Sequence, residues 1–212
     1  MQQIRQRINL FYWIVWTFLR IFLRVYCRLK ISDAHNVPRK GGVIIASNHI
    51  GAGDPFFVGN CVRKELFFMA KKELFKNSVI RVIISNLNAF PVDRAVLDQK
   101  ALKMAGDALN AGYGLIVFPE GTRSKTGELK KGKPGVGLLA RKLVVPVVPA
   151  YIENSRGFWS IPFSTRRIKV SFGEPISSSS VSEFPDSNDG YRALSEELMT
   201  RIGKLKANQK AD

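Results

Sequence analysis

Residues 41–57 read GGVIIASNHIGAGDPFF. Two glycines open a β-branched run, GGVIIAS (41–47), which has the character of a buried strand. A loop with two more glycines follows. DPFFVGNCVRK (54–64) then reads as a helix, with Asp54 at the N-cap and Pro55 at the first helical position. The loop between strand and helix carries His49, one of two histidines in the chain, five residues before Asp54. Two readings are open here. A carboxylate on one imidazole nitrogen fixes the tautomer and readies the other nitrogen to take a proton. Alternatively, Asp54 only caps the helix and His49 is an ordinary loop residue. Both roles are compatible, because a carboxylate has two oxygens.

The same alternation continues downstream. ELFFMA (65–70) is a strand and KELFKNSVIRVIISNL (72–87) has helical periodicity. NAFPV (88–92) is a short strand, and AVLDQKALKMAGDALNAG (95–112) is an amphipathic helix closed by glycine. YGLIVFP (113–119) is a strand, PGVGLLARKL (134–143) a helix, VVPVVPAYI (144–152) a strand and RRIKVSFGEPI (166–176) a half-buried strand. Residues 177–190 read as a polar loop, and a C-terminal helix follows. Alternating strands and helices predict an α/β fold, with a mainly parallel central sheet flanked by helices. Ligands of such sheets bind beyond the carboxyl ends of the strands. That rule gathers four loops: NHIGAGD (48–54), KK (71–72), DR (93–94) and EGTRSKTGELKKGK (120–133). Together they make an anion-binding edge with a candidate base in it.

Charge narrows the partners. The chain has 212 residues, 33 Lys+Arg against 17 Asp+Glu, and a net charge of +16. Such an excess favours polyanions: nucleic acid, anionic lipid or phosphorylated substrates. Helix-turn-helix, zinc-finger and RNP patterns are all missing, which argues against nucleic acid. The first forty residues hold eight basic residues and one acid, Asp33. INLFYWIVWTFL (8–19) is uncharged, and Arg20, Arg24 and Arg28 recur every four residues on one helical face. Twelve uncharged residues fall short of the roughly 20 that span a bilayer. No small-residue cleavage site follows, which argues against a removed signal peptide. The segment is expected to be an N-terminal membrane-interfacial amphipathic helix, aromatics in the acyl region and arginines at the phosphates. A tilted span with snorkelling arginines, or a helix packed on the domain, are the other readings. The expected division is residues 1–36 as this aromatic and basic membrane-associating helix and 37–212 as the α/β domain.

Other chemistries find little support. Cys27 and Cys61 make no disulfide framework, and their spacing to His35 and His49 predicts no metal site. GELKKGKP (127–134) mimics a P-loop, but Pro134 stands where the magnesium-binding hydroxyl belongs. G-x-S-x-G and G-x-G-x-x-G are both missing. FPEGTRS (118–124) reads either as an anion cradle after a strand, with Glu120 orienting Arg123 and with Gly121 and Thr122 beside it, or as an ordinary polar turn. Lys71, or Lys72, and Arg94 offer cations at other strand ends, or else are a solvated helix face and a surface salt bridge.

Taken in order, NHIGAGD, NAFPVDR, FPEGTRS and VPVVPAYI (145–152) resemble the four blocks of the PlsC-like glycerolipid acyltransferases, the 1-acylglycerol-3-phosphate acyltransferase family. KKGKPGVGLLA resembles the segment after the third block, and the resemblance covers roughly residues 37–175. It implies that His49 is the general base on a lysophospholipid hydroxyl and that Asp54 supports it. It also implies that Lys71, Arg94, Glu120, Gly121, Thr122 and Arg123 hold the acceptor's phosphate. Backbone donors near Val145–Pro149 would steady the oxyanion. The implied reaction moves a fatty acyl group from acyl-CoA or acyl carrier protein to the sn-2 hydroxyl of lysophosphatidate, giving phosphatidate, with no metal, no cofactor and no acyl-enzyme. The implied location is the cell membrane, peripheral or monotopic, with the site facing the cytoplasm and an anionic phospholipid membrane as partner. Alternatives are another lysophospholipid or amino-lipid acceptor, or a relic membrane-binding protein. One departure stands out: the family often has Ser or Thr where this chain has Gly51.

Overall fold

A computed structural model of the chain describes residues 10–93, 99–156 and 167–211. Among these residues seven strands form one sheet: β1 (Lys30–Ser32), β2 (Val43–Ser47), β3 (Leu66–Lys71), β4 (Ala89–Val92), β5 (Gly114–Val117), β6 (Val147–Glu153) and β7 (Lys169–Phe172). Their order is β1-β7-β6-β2-β5-β3-β4. Every neighbouring pair is parallel except β6 with β7. The expected α/β architecture is therefore present. β2 lies between β5 and β6, and all five of its residues are buried. That is why its sequence is apolar without alternation: a strand covered on both faces has no polar side.

The helices α1 (Leu10–Val25), α2 (Asp54–Asn60), α3 (Ser78–Asn86), α4 (Gln99–Asn110), α5 (Gly135–Leu143), α6 (Ser178–Glu183) and α7 (Asn188–Ala211) cover the two faces. One core cluster joins Leu23, Phe57, Val58 and Leu87 to the sheet, with Val15, Phe22 and Ile84 packed on it. It lies under α1, α2 and α3. The other joins Ala101, Ala105, Leu139, Leu194 and Leu198 to the opposite sheet face, under α4, α5 and α7.

Several elements differ from the sequence reading. The sheet starts at Lys30, where β1 pairs with β7, inside the segment read as helix alone. A three-residue strand has too little pattern to be seen from sequence. The helix expected over 72–87 is a 3₁₀ turn, Lys72–Lys76, followed by α3, with the break at Asn77. The Asn77 side chain accepts from the N–H of Val79 and Ile80, capping α3 and stopping the turn from running through. Within the expected polar loop 177–190, α6 forms where Ser177 accepts from the N–H of Ser180.

α1 stops at Val25 and Arg28 adopts φ 50°, so Arg28 lies off the helix that was expected to carry it. Arg20 turns inward and donates to Asn60 O at 2.8 Å, its guanidinium stacked over Trp16. Trp16 Nε1 donates to Gly59 O, and the buried Tyr12 hydroxyl accepts from Leu66 N. One face of α1 is thus docked on the domain. The other exposes Leu10, Phe11, Ile14, Phe18, Ile21 and Val25. Among the described residues no helix is long and apolar enough to cross a membrane.

α5 and α7 meet backbone to backbone. A Cβ at Gly137 would lie 2.0 Å from Tyr191 O, and Gly137 N donates to the buried Ser195 Oγ. Gly137→Ala must therefore push the helices apart, losing about 2 kcal/mol or more and lowering Tm by several degrees in thermal unfolding.

Candidate active site

β2 ends at Ser47 and the loop NHIGAG leaves the sheet at the carboxyl edge. Asn48 holds its first residue. Asn48 Nδ2 donates to Ile152 O at 2.9 Å, and Ile152 N donates to Asn48 Oδ1 at 2.7 Å. The side-chain amide thus copies one more rung of the β2–β6 ladder while freeing the main chain to turn. That leaves His49 at the rim, 7% exposed.

His49 Nδ1 lies 2.7 Å from Asp54 Oδ2. The same oxygen accepts the backbone N–H of Ile50 at 2.7 Å and of Gly51 at 2.9 Å. The other oxygen, Oδ1, accepts from Ser155 Oγ at 2.5 Å. Asp54 is fully buried, and these four donors satisfy it. Here the structure corrects the helix-cap reading. Asp54 is the first residue of α2 and Gly53 the N-cap, with no side-chain cap bond. The carboxylate folds back over the loop instead. With the carboxylate as acceptor, Nδ1 carries the proton, and Nε2 is the nitrogen left for a substrate.

The loop after β5 fastens the His49 backbone. Ser124 N donates to His49 O at 2.7 Å, and His49 N donates to Glu120 Oε1 at 3.2 Å. Phe118 stacks on the imidazole, centroids 4.1 Å apart and planes 18° apart. Glu120 was expected to orient Arg123. Its carboxylate turns to the His49 backbone instead, and Lys130 Nζ holds the Arg123 carbonyl. Glu120 is 3% exposed, and its Oε2 is buried without a hydrogen bond of standard geometry. Burial pushes this carboxyl above the ordinary glutamate value. The backbone N–H groups of His49 and Lys130, then the charges of Lys130 and His49, pull it partly back.

The remaining expected residues divide. Gly121 lines a cavity of about 230 Å³ together with His49. Thr122 and Arg123 are exposed on the same loop, and Thr122 Oγ1 accepts from Lys130. Lys71 is exposed at the end of β3, paired with Glu73 at 3.6 Å, and does not line the cavity. Lys72 pairs with Asp93, which does line it. Arg94 lies outside the described residues. The expected oxyanion donors near Val145–Pro149 are at the wrong end of β6. Val145 N donates to Ala140 O and Val147 N to Ile176 O. β6 runs parallel to β2, so its carboxyl end, Ile152–Ser155, is what reaches His49's loop.

The sequence reading missed Ser155 and gave no individual role to Asn48 or Lys133, which it held only within the loops 48–54 and 120–133. Lys133 lines the cavity and lies over Gly121, where a Cβ would meet its Cδ, Cε and Nζ at 3.1–3.3 Å. The P-loop mimic drew attention to this lysine for the wrong reason. Apart from His49, Asp93 and Lys133 the cavity wall is apolar, including Met69, Val92, Ile116, Val136 and Leu139. No cluster of three or more His, Cys, Asp or Glu side chains among the described residues is placed to hold a metal ion.

A mainly parallel α/β sheet thus holds a carboxylate-backed histidine at its carboxyl edge, beside an apolar cavity wall and a lysine. The profile of the acyltransferase family matches residues 28–153, and the chain belongs to that family. It is similar to the 1-acyl-sn-glycerol-3-phosphate acyltransferase of Bacillus subtilis, 30% identical over 189 residues, 88% of this chain and 92% of that protein. The enzyme of the same name from Streptococcus pneumoniae is 28% identical over 76% of this chain; the chain spans 60% of that protein's length. The solved structure of PlsC from Thermotoga maritima, a 1-acyl-sn-glycerophosphate acyltransferase, superimposes with a TM-score of 0.71 at 27% identity. The match covers 96% of this chain and 85% of that one.

The buried Glu120 gives stability a pH dependence. Its folded value lies above its ordinary value of 4.5, so its contribution is full below that value and is lost as pH rises through the raised one. In Glu120→Gln this dependence is gone. The Tm difference between variant and parent should move in the variant's favour as pH rises from 4 to neutrality, in parallel thermal melts. A difference constant with pH would contradict the assignment.

Proposed function

We propose that the chain transfers a fatty acyl group from an acyl thioester, acyl-CoA or acyl carrier protein, to the free sn-2 hydroxyl of 1-acylglycerol-3-phosphate, giving phosphatidate for phospholipid biosynthesis. The observation that carries this reading is the His49–Asp54 pair, with Nε2 left open at an apolar cavity that also holds Lys133. The names of the relatives supply the acceptor. The intact pair weighs against a relic site.

In this reading His49 Nε2 takes the proton from the acceptor hydroxyl as its oxygen attacks the thioester carbonyl. Nδ1–H stays on Asp54, whose charge stabilises the imidazolium. The tetrahedral adduct collapses, the C–S bond breaks, and the proton leaves on the thiolate. The attack is direct, so no residue is acylated, and neither metal nor cofactor takes part. The apolar wall takes an acyl chain. Lys133, Arg123, Gly121 and Thr122 meet the acceptor's phosphate, with Lys71 and Arg94 as further cations. Glu120 serves by holding His49 in place.

The membrane reading rests on one face of the molecule. α1 turns an apolar stripe outward, and α3, over the same sheet face, exposes Val79, Ile80, Val82 and Ile83, with Leu74 before it. Arg24 on α1, Arg81 on α3, and Lys71 and Lys76 in the stretch before α3 are exposed and suit anionic headgroups. α1 would lie in the plane of the cytoplasmic leaflet, as a peripheral or monotopic attachment.

His49→Ala should cut transfer from acyl thioester to lysophosphatidate by about 10²–10⁴-fold, in a variant that still melts cooperatively although Asp54 has lost one of its donors. Unchanged turnover would refute the base. Measuring the parent against both donors and several lysophospholipids fixes donor and acceptor. Separately, Phe18→Asp combined with Ile21→Asp should sharply reduce sedimentation with phosphatidylglycerol vesicles without unfolding the domain. Equal sedimentation would remove α1 from the membrane contact.

A further inference from the structure

We propose that Ser155 is a positioning residue of this site: its hydroxyl, delivered by the end of β6, holds the Asp54 carboxylate in the orientation His49 needs, and position 51 is glycine because that delivery leaves no room for a side chain. The proposal rests on the reading of His49 as the base.

Asp54 Oδ2 is held by three N–H groups from its own loop. Oδ1 faces the other way, and its partner comes from 101 residues along the chain, Ser155 Oγ. Ser155 is 0% exposed, so water does not substitute for it. A carboxylate turning about its Cβ–Cγ bond would exchange the two oxygens. Pinning Oδ1 keeps Oδ2 on the imidazole. The chain reaches this position by a turn at Asn154, φ 61°, a left-handed conformation that asparagine tolerates. Asn154 Nδ2 secures the turn on Arg167 O.

Gly51 is the other half of the arrangement. A Cβ built there would lie 2.4 Å from Ser155 O and 3.1 Å from Asp54 Oδ1. The first contact is with backbone, so no side-chain rotation relieves it. The loop has no side chain at position 51, and the hydroxyl on the carboxylate comes from Ser155, just past the end of β6.

A neutral donor on Oδ1 draws negative charge away from Oδ2. Without it, Asp54 holds the imidazolium more tightly, and the acidic limb of the rate profile moves to higher pH. Among the described residues, the charged and titratable groups around the pair are Glu120 and Lys130 from the loop after β5, Lys133 before α5, and Asp93 after β4. All of them stay in place in the variants.

The test compares purified full-length parent, Ser155→Ala, Ser155→Cys, Gly51→Ala and the Gly51→Ala/Ser155→Ala double variant, with thermal melts alongside. Cysteine keeps the shape with a far weaker donor, so it carries the comparison if the alanine variant does not fold. Each serine variant should lose about tenfold or more in kcat. KM values should stay within about twofold, and the acidic limb of kcat/KM should rise by about half a pH unit. Gly51→Ala should lose activity too, and the double variant should lose little beyond the worse single. Parental kcat in the serine variants, a uniform loss with the limb unmoved, or additive losses would overturn the proposal. His49→Ala run in parallel separates the two claims. If it is active, the base assignment fails; if it is inactive while Ser155→Ala matches the parent, only the role of Ser155 fails.

Discussion

The site depends on one constraint: a carboxylate with no exposure to water must be satisfied entirely by protein. Asp54 meets it with donors from two distant parts of the chain, the loop at 49–51 and Ser155 beyond β6. A buried charged acceptor that loses one such hydrogen bond costs about 1.5–3 kcal/mol. The loop cannot drift from β6 without incurring that cost. Asn48, clamped to Ile152, and the stretch 118–124, bonded to both sides of the His49 peptide, hold the remaining freedom. The imidazole therefore sits in one orientation before any substrate arrives, which is where positioning contributes to rate.

The architecture was legible because its signals are local. VIIAS reads as a strand buried on both faces. The helix at 135–143 and the strands around residues 66–71, 89–92 and 114–117 stand close to where their periodicity puts them. Pairing of His49 with Asp54 was legible as a possibility, since two glycines allow the loop to fold back. That Asp54 abandons the helix cap was not legible, because the choice depends on donors that only tertiary structure brings. Ser155 is the extreme case. Its only sequence signature is a serine two residues past a strand. Glu120 shows the reverse error: the neighbouring Arg123 suggested a pair, whereas burial turned the carboxylate toward a backbone amide. The block at 145–152 was placed in the right strand, but its working end was misjudged, because direction in the sheet decides which end meets the ligand.

The two faces of the sheet are treated differently. α4, α5 and α7 bury the second core cluster conventionally, with α5 and α7 in contact through Gly137. α1 and α3 bury one side against the first cluster and leave apolar side chains outside. Exposed apolar surface of that extent calls for a partner. A lipid leaflet suits both its composition and a substrate that lives in the bilayer. The carboxyl ends of β3 and β4, joined by α3, also supply Met69 and Val92 to the cavity. The helix with the exposed apolar side chains and part of the cavity wall thus belong to one strand–helix–strand unit.

The central claim is that His49 Nε2 receives the proton of a lysophosphatidate hydroxyl. A structure with lysophosphatidate and a non-cleavable thioester analogue bound tests it most directly. The acceptor's sn-2 oxygen should lie about 2.6–3.2 Å from His49 Nε2, with the phosphate on Lys133 and the Arg123 loop and an acyl chain between Met69 and Leu139. An acceptor hydroxyl bound away from His49, with the imidazole facing neither substrate, would contradict it.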